Sequence, residues 1–156
     1  MKAVYAGSFD PLTKGHEYII QEAQKMFELT VLVSNNPTKT HTFSIEKRYN
    51  MIYSSINKKY NIFIDTLDSG LLVDYCNRNK IECIIRGVRG AQDLDLEMTM
   101  LNVNKDLSDI STIFIPCPAE LSYISSSIVR QLLSIGSISI DKYVSPAVKG
   151  IISLND

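Results

Sequence analysis

Apolar residues recur along this chain with two periods, a short continuous one that marks strands and a helical one that marks the segments between them. Lys2 to Ala6 is an apolar run with β-branched and aromatic members, closed by Gly7, and reads as a strand buried on both faces. From Lys14 to Phe27, the residues Ile19, Ile20, Ala23, Met26 and Phe27 recur at helical spacing and predict one helix with an inward stripe. Leu29 to Ser34 is a second strand, stopped by Asn35, Asn36 and Pro37. A loop follows through Thr42, and Ser44 caps a helix whose apolar face is Ile45, Tyr49, Ile52 and Ile56. Tyr60 to Leu67 carries a third strand, and Gly70 opens a short helix over Leu71 to Asn79. Ile81 to Ile85 is the fourth strand, followed at once by Arg86-Gly87-Val88-Arg89-Gly90. Gln92 to Leu107 predicts a long helix with Leu94, Met98, Leu101 and Val103 turned inward. Thr112 to Ile115 is the fifth strand, ended by Pro116 and Pro118. A serine cluster, Ser125 to Ser127, opens a helix that ends near Gly136, and Ser145-Pro146 starts a last helix carrying Val148, Ile151 and Ile152.

Five strand signals alternating with helical ones predict an α/β fold, a doubly wound five-stranded parallel sheet of Rossmann-like type. At 156 residues with 45% apolar side chains, the chain is expected to form one domain over 1–156 with a sizeable core. Its 16 basic and 17 acidic residues leave a net charge of -1, so no global field draws nucleic acid or an anionic membrane. Cys76, Cys83 and Cys117 are odd in number and widely spaced, without the close pairs of a zinc site, and read as reduced core thiols. No apolar run approaches the ~20 residues of a membrane span, and the first residues enter a strand directly. The expectation is a soluble, cytoplasmic protein with neither signal peptide nor anchor.

In a doubly wound sheet the loops after successive strands gather at one edge, and here those loops carry a particular set of residues. Gly7-Ser8-Phe9-Asp10-Pro11 turns a strand into a helix beginning near Lys14, which brings unpaired N–H groups and a positive helix end to one spot. That spot suits a phosphate, with His16 in reach of its oxygens; a tight turn with a capping serine is the alternative. Arg86 and Arg89, separated by glycine, offer planar guanidinium forks to phosphate oxygens. Three successive serines at a helix start supply more donors than one cap requires. Lys39, taken alone, reads as a solvated loop lysine, and His41 as a surface residue. Leu71, Leu72 and Tyr75 are core or line a ligand's apolar arm, and Glu97, near a helix start with Asp93 and Asp95, is accounted for by the helix dipole. The collected set binds polyanions. It contains no cysteine–histidine pair, no carboxylate dyad, no Walker A sequence and no GxGxxG.

Six segments then match one family in order and spacing: GSFDPLTKGH at 7–16, NPTK at 36–39, GLLVDY at 70–75, IRGVR at 85–89, Glu97, and YISSSIVR at 123–130. Over nearly its whole length the sequence resembles the bacterial phosphopantetheine adenylyltransferases, in the nucleotidyltransferase superfamily marked by (T/H)xGH. The resemblance implies that fold, and transfer of the adenylyl group of ATP to 4'-phosphopantetheine, giving dephospho-coenzyme A and pyrophosphate. It implies that Ser8, Phe9 and His16 contact ATP, Ser8 also approaching the acceptor phosphate and His16 stabilising the transition state. Lys39 and Arg86 would hold the acceptor phosphate, and the backbone near Leu71 and Leu72 its pantetheine arm. Gly87, Val88, Arg89 and Glu97 fall on ATP-binding positions, as do Leu121, Ser122, Tyr123 and Ile124 with Ser125, Ser126 and Ser127. The sequence departs from many relatives in having Leu96 and Leu121 where they carry an aromatic residue. By the same resemblance the protein is a homohexamer subject to coenzyme A feedback. Mg²⁺ is expected with the triphosphate, since no metal cage is legible. Two rivals remain: a nucleotidyltransferase acting on nicotinamide mononucleotide or a polyol phosphate, and a nucleotide-binding regulatory module without chemistry.

Overall fold

A computed structural model of the chain describes residues 1–35, 40–56, 62–136 and 139–154. Lys39, and the first residues of the expected third strand, Tyr60 and Asn61, lie outside the described residues. The described elements run in the order β1 (Lys2–Gly7), α1 (Lys14–Ala23), β2 (Glu28–Ser34), α2 (Ile45–Ser55), β3 (Ile62–Leu67), α3 (Leu72–Asn79), β4 (Cys83–Val88), α4 (Ala91–Leu107), β5 (Ser111–Pro116), a 3-10 turn (Ala119–Leu121), α5 (Ser126–Ser134) and α6 (Pro146–Ser153). The strands form one parallel sheet in the order β3-β2-β1-β4-β5, which is the expected doubly wound α/β architecture.

β1 is central, and its alternate residues feed two different cores. Ala3 and Tyr5 face α1, α2, α5 and α6, where Ile19, Ile20, Ala23, Met51, Ile52, Val129 and Val148 close over them. Val4 and Ala6 face α3, against Val73, Tyr75 and Cys76. Tyr5 pairs with Val31 on one side and Ile85 on the other, so both flanks and both faces of β1 are covered. The order of strands reverses between β1 and β4. Ligands bind such sheets outside the carboxyl ends at that reversal.

Several expectations shift by a turn or more. α1 ends at Ala23, because Lys25 N and Met26 N reach back only three residues, to Glu22 O and Ala23 O, in a tightened final turn. Met26 is accordingly 58% exposed, while Phe27 still packs on the core. β4 begins at Cys83, since Ile81 N is taken by Cys76 O, and it continues through Arg86-Gly87-Val88, which the sequence had suggested lie beyond it. Gly87 is tolerated in that strand because α1 presses on it: a Cβ there would stand 2.8 Å from Ile19 Cγ1.

The inward face expected for α4 is not there. Among its described residues only Asn104 is buried, Leu101 is half-buried, and Leu94, Met98 and Val103 are exposed together with Leu96, at 71%. Among the described residues no element of this chain covers those side chains. The three cysteines are free thiols, as expected; Cys76 and Cys83 are buried and Cys117 is half-buried. No described helix is long and apolar enough to cross a membrane.

Candidate active site

At the carboxyl ends of β1 and β4 the chain encloses a cavity of about 340 Å³. Its first wall is the turn from β1 into α1. Phe9 adopts a left-handed backbone (φ 49°), which swings its buried ring under Gly7, where a Cβ would meet that ring at 3.1 Å. The ring stacks edge-on against Tyr5 and His16, with centroids 5.4 and 5.2 Å away. Phe9 therefore supports the site floor through its ring.

His16 occupies the third position of α1, in a capping box with Thr13. Thr13 N lies 3.1 Å from His16 Nδ1. A backbone N–H can only donate, so Nδ1 is the acceptor and the ring proton sits on Nε2. Burial, followed by the positive field of Arg89, pulls the imidazole pKa from 6.5 down to about 4. At neutral pH His16 is thus an uncharged ring that presents an Nε2–H donor.

The second wall comes from β4 and α4. Arg86 Nη1 donates to Ala6 O at 3.3 Å, and its Nε stands 3.3 Å from Glu97 Oε2. Arg89 is gripped by Asp93 in a two-pronged contact, Nε to Oδ2 at 3.1 Å and Nη2 to Oδ1 at 3.0 Å, which holds the Asp93 carboxyl below its usual range. Both guanidinium groups are oriented before any ligand arrives.

The third wall is the start of α5. Ser125 caps the helix, its hydroxyl accepting from Ile128 N, and Ser126 Oγ donates to Pro11 O at 2.8 Å, tying α5 to the first wall. Arg130, one turn further on, donates to the Asp10 carbonyl and to Ser127 Oγ. Free N–H groups of the first helical turn and the Ser127 hydroxyl add donors for an anion.

Thr40 and His41 form a fourth wall. The sequence reading of His41 as a surface residue is corrected here: its side chain is 15% exposed, with Nδ1 3.7 Å from Asp10 Oδ2. The same carboxylate accepts from Thr42 N and Phe43 N, both at 2.9 Å, and so draws the 40–43 segment onto the turn.

The cavity thus gathers Ser8, Phe9, His16, Arg86, Gly87, Arg89 and Glu97, together with Ile124 and Ser125 to Ser127, from three stretches of sequence. Val88, Leu121, Ser122 and Tyr123 do not line it; Tyr123 is exposed and packs edge-on against Tyr143. Leu71 and Leu72 also stand apart. Leu71 is exposed at the start of α3 and Leu72 packs on the second core, while Tyr75 is buried with its hydroxyl on Asp65. Lys39 falls outside the described residues. Sequence reasoning did not single out Asp10, Arg130 or Asp93 for the site. Arg130 was legible as the last residue of the serine segment, one helical turn beyond Ser126, and Asp93 as the partner four residues from Arg89.

What the arrangement can do follows from its charges. Asp93, Glu97 and Asp10 each face a basic group, so they brace the arginines and leave no carboxylate dyad for proton transfer. Among the described residues no cluster of His, Cys, Asp and Glu could hold a metal by itself. The cavity offers oriented N–H donors from three of its walls, which suits phosphate groups.

Comparison with known proteins gives the family and the fold. A cytidylyltransferase-like family model matches residues 4–132. The chain is 43% identical over 132 residues to a phosphopantetheine adenylyltransferase of Fusobacterium nucleatum, covering 83% of this chain and 80% of that one. It is 34% identical over 148 residues to a phosphopantetheine adenylyltransferase of Micrococcus luteus, covering 94% of each. Among solved structures, the nicotinic acid mononucleotide adenylyltransferase of Plasmodium falciparum, in complex with NaAD, superposes with a TM-score of 0.69 over 99% of this chain and 97% of that one. At 21% identity that likeness speaks for the fold.

Proposed function

The chain belongs to the cytidylyltransferase-like family and to its phosphopantetheine adenylyltransferases, and from that membership we propose that it transfers the adenylyl group of ATP to 4'-phosphopantetheine. An oxygen of the acceptor's phosphate attacks the α-phosphorus of ATP. The new P–O bond forms as the bond from the α-phosphorus to the bridging oxygen breaks, and pyrophosphate leaves with that electron pair, giving dephospho-coenzyme A. A phosphate monoester with a second pKa of about 6 is mostly a dianion at neutral pH and needs no base to attack. A cavity whose carboxylates all brace cations is consistent with that chemistry.

The observation that carries the reading is the fixed Nε2–H of a neutral His16 on the same cavity as Arg86. Phosphoryl transfer places growing charge on equatorial oxygens, and a preset donor stabilises it without reorganising. His16 is the donor in our account, Arg86 and Lys39 align the acceptor's phosphate, and Ser8, Arg89, Arg130 and the α5 start hold the triphosphate. Gly87 lines the cavity beside them, and Glu97 keeps Arg86 in place. Phe9 acts through its ring, beneath His16. Val88, Leu121, Ser122 and Tyr123 adjoin residues that line the cavity and reach ATP only at its margin. Leu71 and Leu72 receive the pantetheine arm through their backbone, outside the cavity. ATP enters as its magnesium complex, because the described residues make no all-protein cage and Mg²⁺ readily rides on phosphates and water. The whole chain acts as one domain, in the cytoplasm.

We also propose a homohexamer, and the uncovered apolar side chains of α4, Leu94, Leu96, Met98 and Val103, support a subunit contact there. Coenzyme A, which shares the acceptor's pantetheine arm, is the proposed feedback inhibitor. The testing experiment is His16→Ala. It should lower kcat for pyrophosphate release roughly 10²-fold or more while ATP still binds, as expected for the loss of one transition-state donor. Unchanged turnover would remove His16 from the mechanism.

A further inference from the structure

Among the described residues Arg48 is the largest side chain that is fully buried, at 1% exposure, and its position in the fold is unusual for an arginine. It lies in the second turn of α2, four residues after the Ser44 cap, where a charged side chain ordinarily points to solvent. Among the described residues its guanidinium makes no ion pair with a carboxylate; it is satisfied by four oxygens from three separate stretches of chain. Nη1 donates to Ser8 O at 2.8 Å and to Ser34 O at 3.2 Å, Nε donates to Phe43 O at 3.0 Å, and Nη2 donates to Asn35 Oδ1.

Those oxygens belong to segments that carry two of the cavity's walls. Ser8 is in the turn from β1 to α1, and Phe43 ends the stretch that presents Thr40 and His41. Phe43 is held at both ends of its backbone: its N–H donates to the buried Asp10 carboxylate, and its C=O accepts from Arg48. Asp10 sits in the same turn as Ser8, so two buried opposite charges, without touching each other, clamp one residue of one wall to the other wall. A methionine would fill the same volume without the desolvation of a charge, which a core alone does not need. The fork geometry, with donors spread over one plane, is what reaches three strands of backbone at once.

We infer that Arg48, together with Asp10, is a positioning residue that sets the spacing between the Ser8 wall and the Thr40–His41 wall, and thereby the alignment of the two phosphate-bearing substrates. The inference rests on the adenylyl-transfer reading for its kinetic part only. In-line transfer is sensitive to such spacing, since a displacement of about 1 Å remote from the reacting atoms can cost roughly 10²-fold in rate.

The experiment uses Arg48→Met and Arg48→Lys, each checked for the parent's circular dichroism and a single cooperative melt. In folded variants kcat for pyrophosphate release should fall about 10- to 100-fold, with the KM for ATP changed by less than about threefold. A folded variant with parental kcat overturns the inference. Should Arg48→Met not fold, Arg48→Lys is decisive alone, because it keeps the buried cation and loses only the fork. A second measurement needs no substrate. Amide hydrogen exchange at Thr42 and Phe43 should accelerate at least about tenfold in either variant, while the β2 amides of Val31 and Leu32 keep their protection. Unchanged exchange at 42 and 43 also overturns the inference. If the parent protein releases no pyrophosphate, the reaction reading fails, and the exchange result still decides whether Arg48 sets the walls.

Discussion

Replacing His16 by asparagine tests the electrostatic state of the site directly, because it removes a single titrating group. The folded imidazole has a pKa of about 4 against 6.5 in the open, so between those values the unfolded chain binds the proton that the folded chain refuses. The sign follows: the stability tied to a neutral His16 is fully present above about pH 6.5 and is lost as the pH falls toward 4. Going from pH 7 to pH 5, the linkage removes about 2 kcal/mol, and by pH 4 about 3 kcal/mol. His16→Asn lacks this titration. The difference in unfolding free energy between parent and variant should therefore shrink in the parent's disfavour by about 2 kcal/mol from pH 7 to pH 5. Urea unfolding of both proteins at pH 7, 6 and 5, at one protein concentration, measures it, and taking the difference cancels the other titrating groups. A difference that stays flat with pH would mean that the ring is not held neutral, and the assignment of its proton to Nε2 would fall with it. The reaction rate is a poorer reporter, because the acceptor phosphate itself titrates near pH 6.

Two further predictions concern packing. Gly87→Ala would put a methyl 2.8 Å from Ile19 Cγ1, so it should cost about 1–3 kcal/mol and lower the melting temperature; an unchanged melt would show that α1 yields freely there. Leu96→Glu changes a side chain that is 71% exposed in the single chain and should not unfold it, yet by sedimentation velocity it should reduce the mass of the assembly. A parental sedimentation profile for that variant would place the subunit contact elsewhere.

The sheet was legible because its strands are built on short apolar runs, and β1 is the clearest: every residue from Ala3 to Ala6 faces one of two cores, which removes the polar interruptions that blur a pattern. The end of α1 was harder to read, since Met26 and Phe27 continue a helical spacing that the backbone abandons after Ala23. α4 misled in the opposite way. Its apolar residues keep the spacing of a buried stripe although this chain alone does not bury them, and spacing cannot say which molecule supplies the cover. In the site, His16, Arg86 and the serines were readable as candidates because each lies at or beyond the carboxyl end of a strand. His41 was not, because its burial depends on Asp10, thirty-odd residues away, drawing the loop inward. Arg48 gave no signal at all: a helical arginine one turn past a cap is indistinguishable in sequence from a solvated one.

The claim on which the account turns is the reaction itself, and pyrophosphate release from ATP, measured with one acceptor at a time in the presence of Mg²⁺, tests it most directly. The account predicts rapid release with 4'-phosphopantetheine, with dephospho-coenzyme A formed in equal amount, and little with nicotinate mononucleotide, nicotinamide mononucleotide or a polyol phosphate. Release with one of those acceptors in preference to 4'-phosphopantetheine, or ATP binding with no release from any of them, would contradict it.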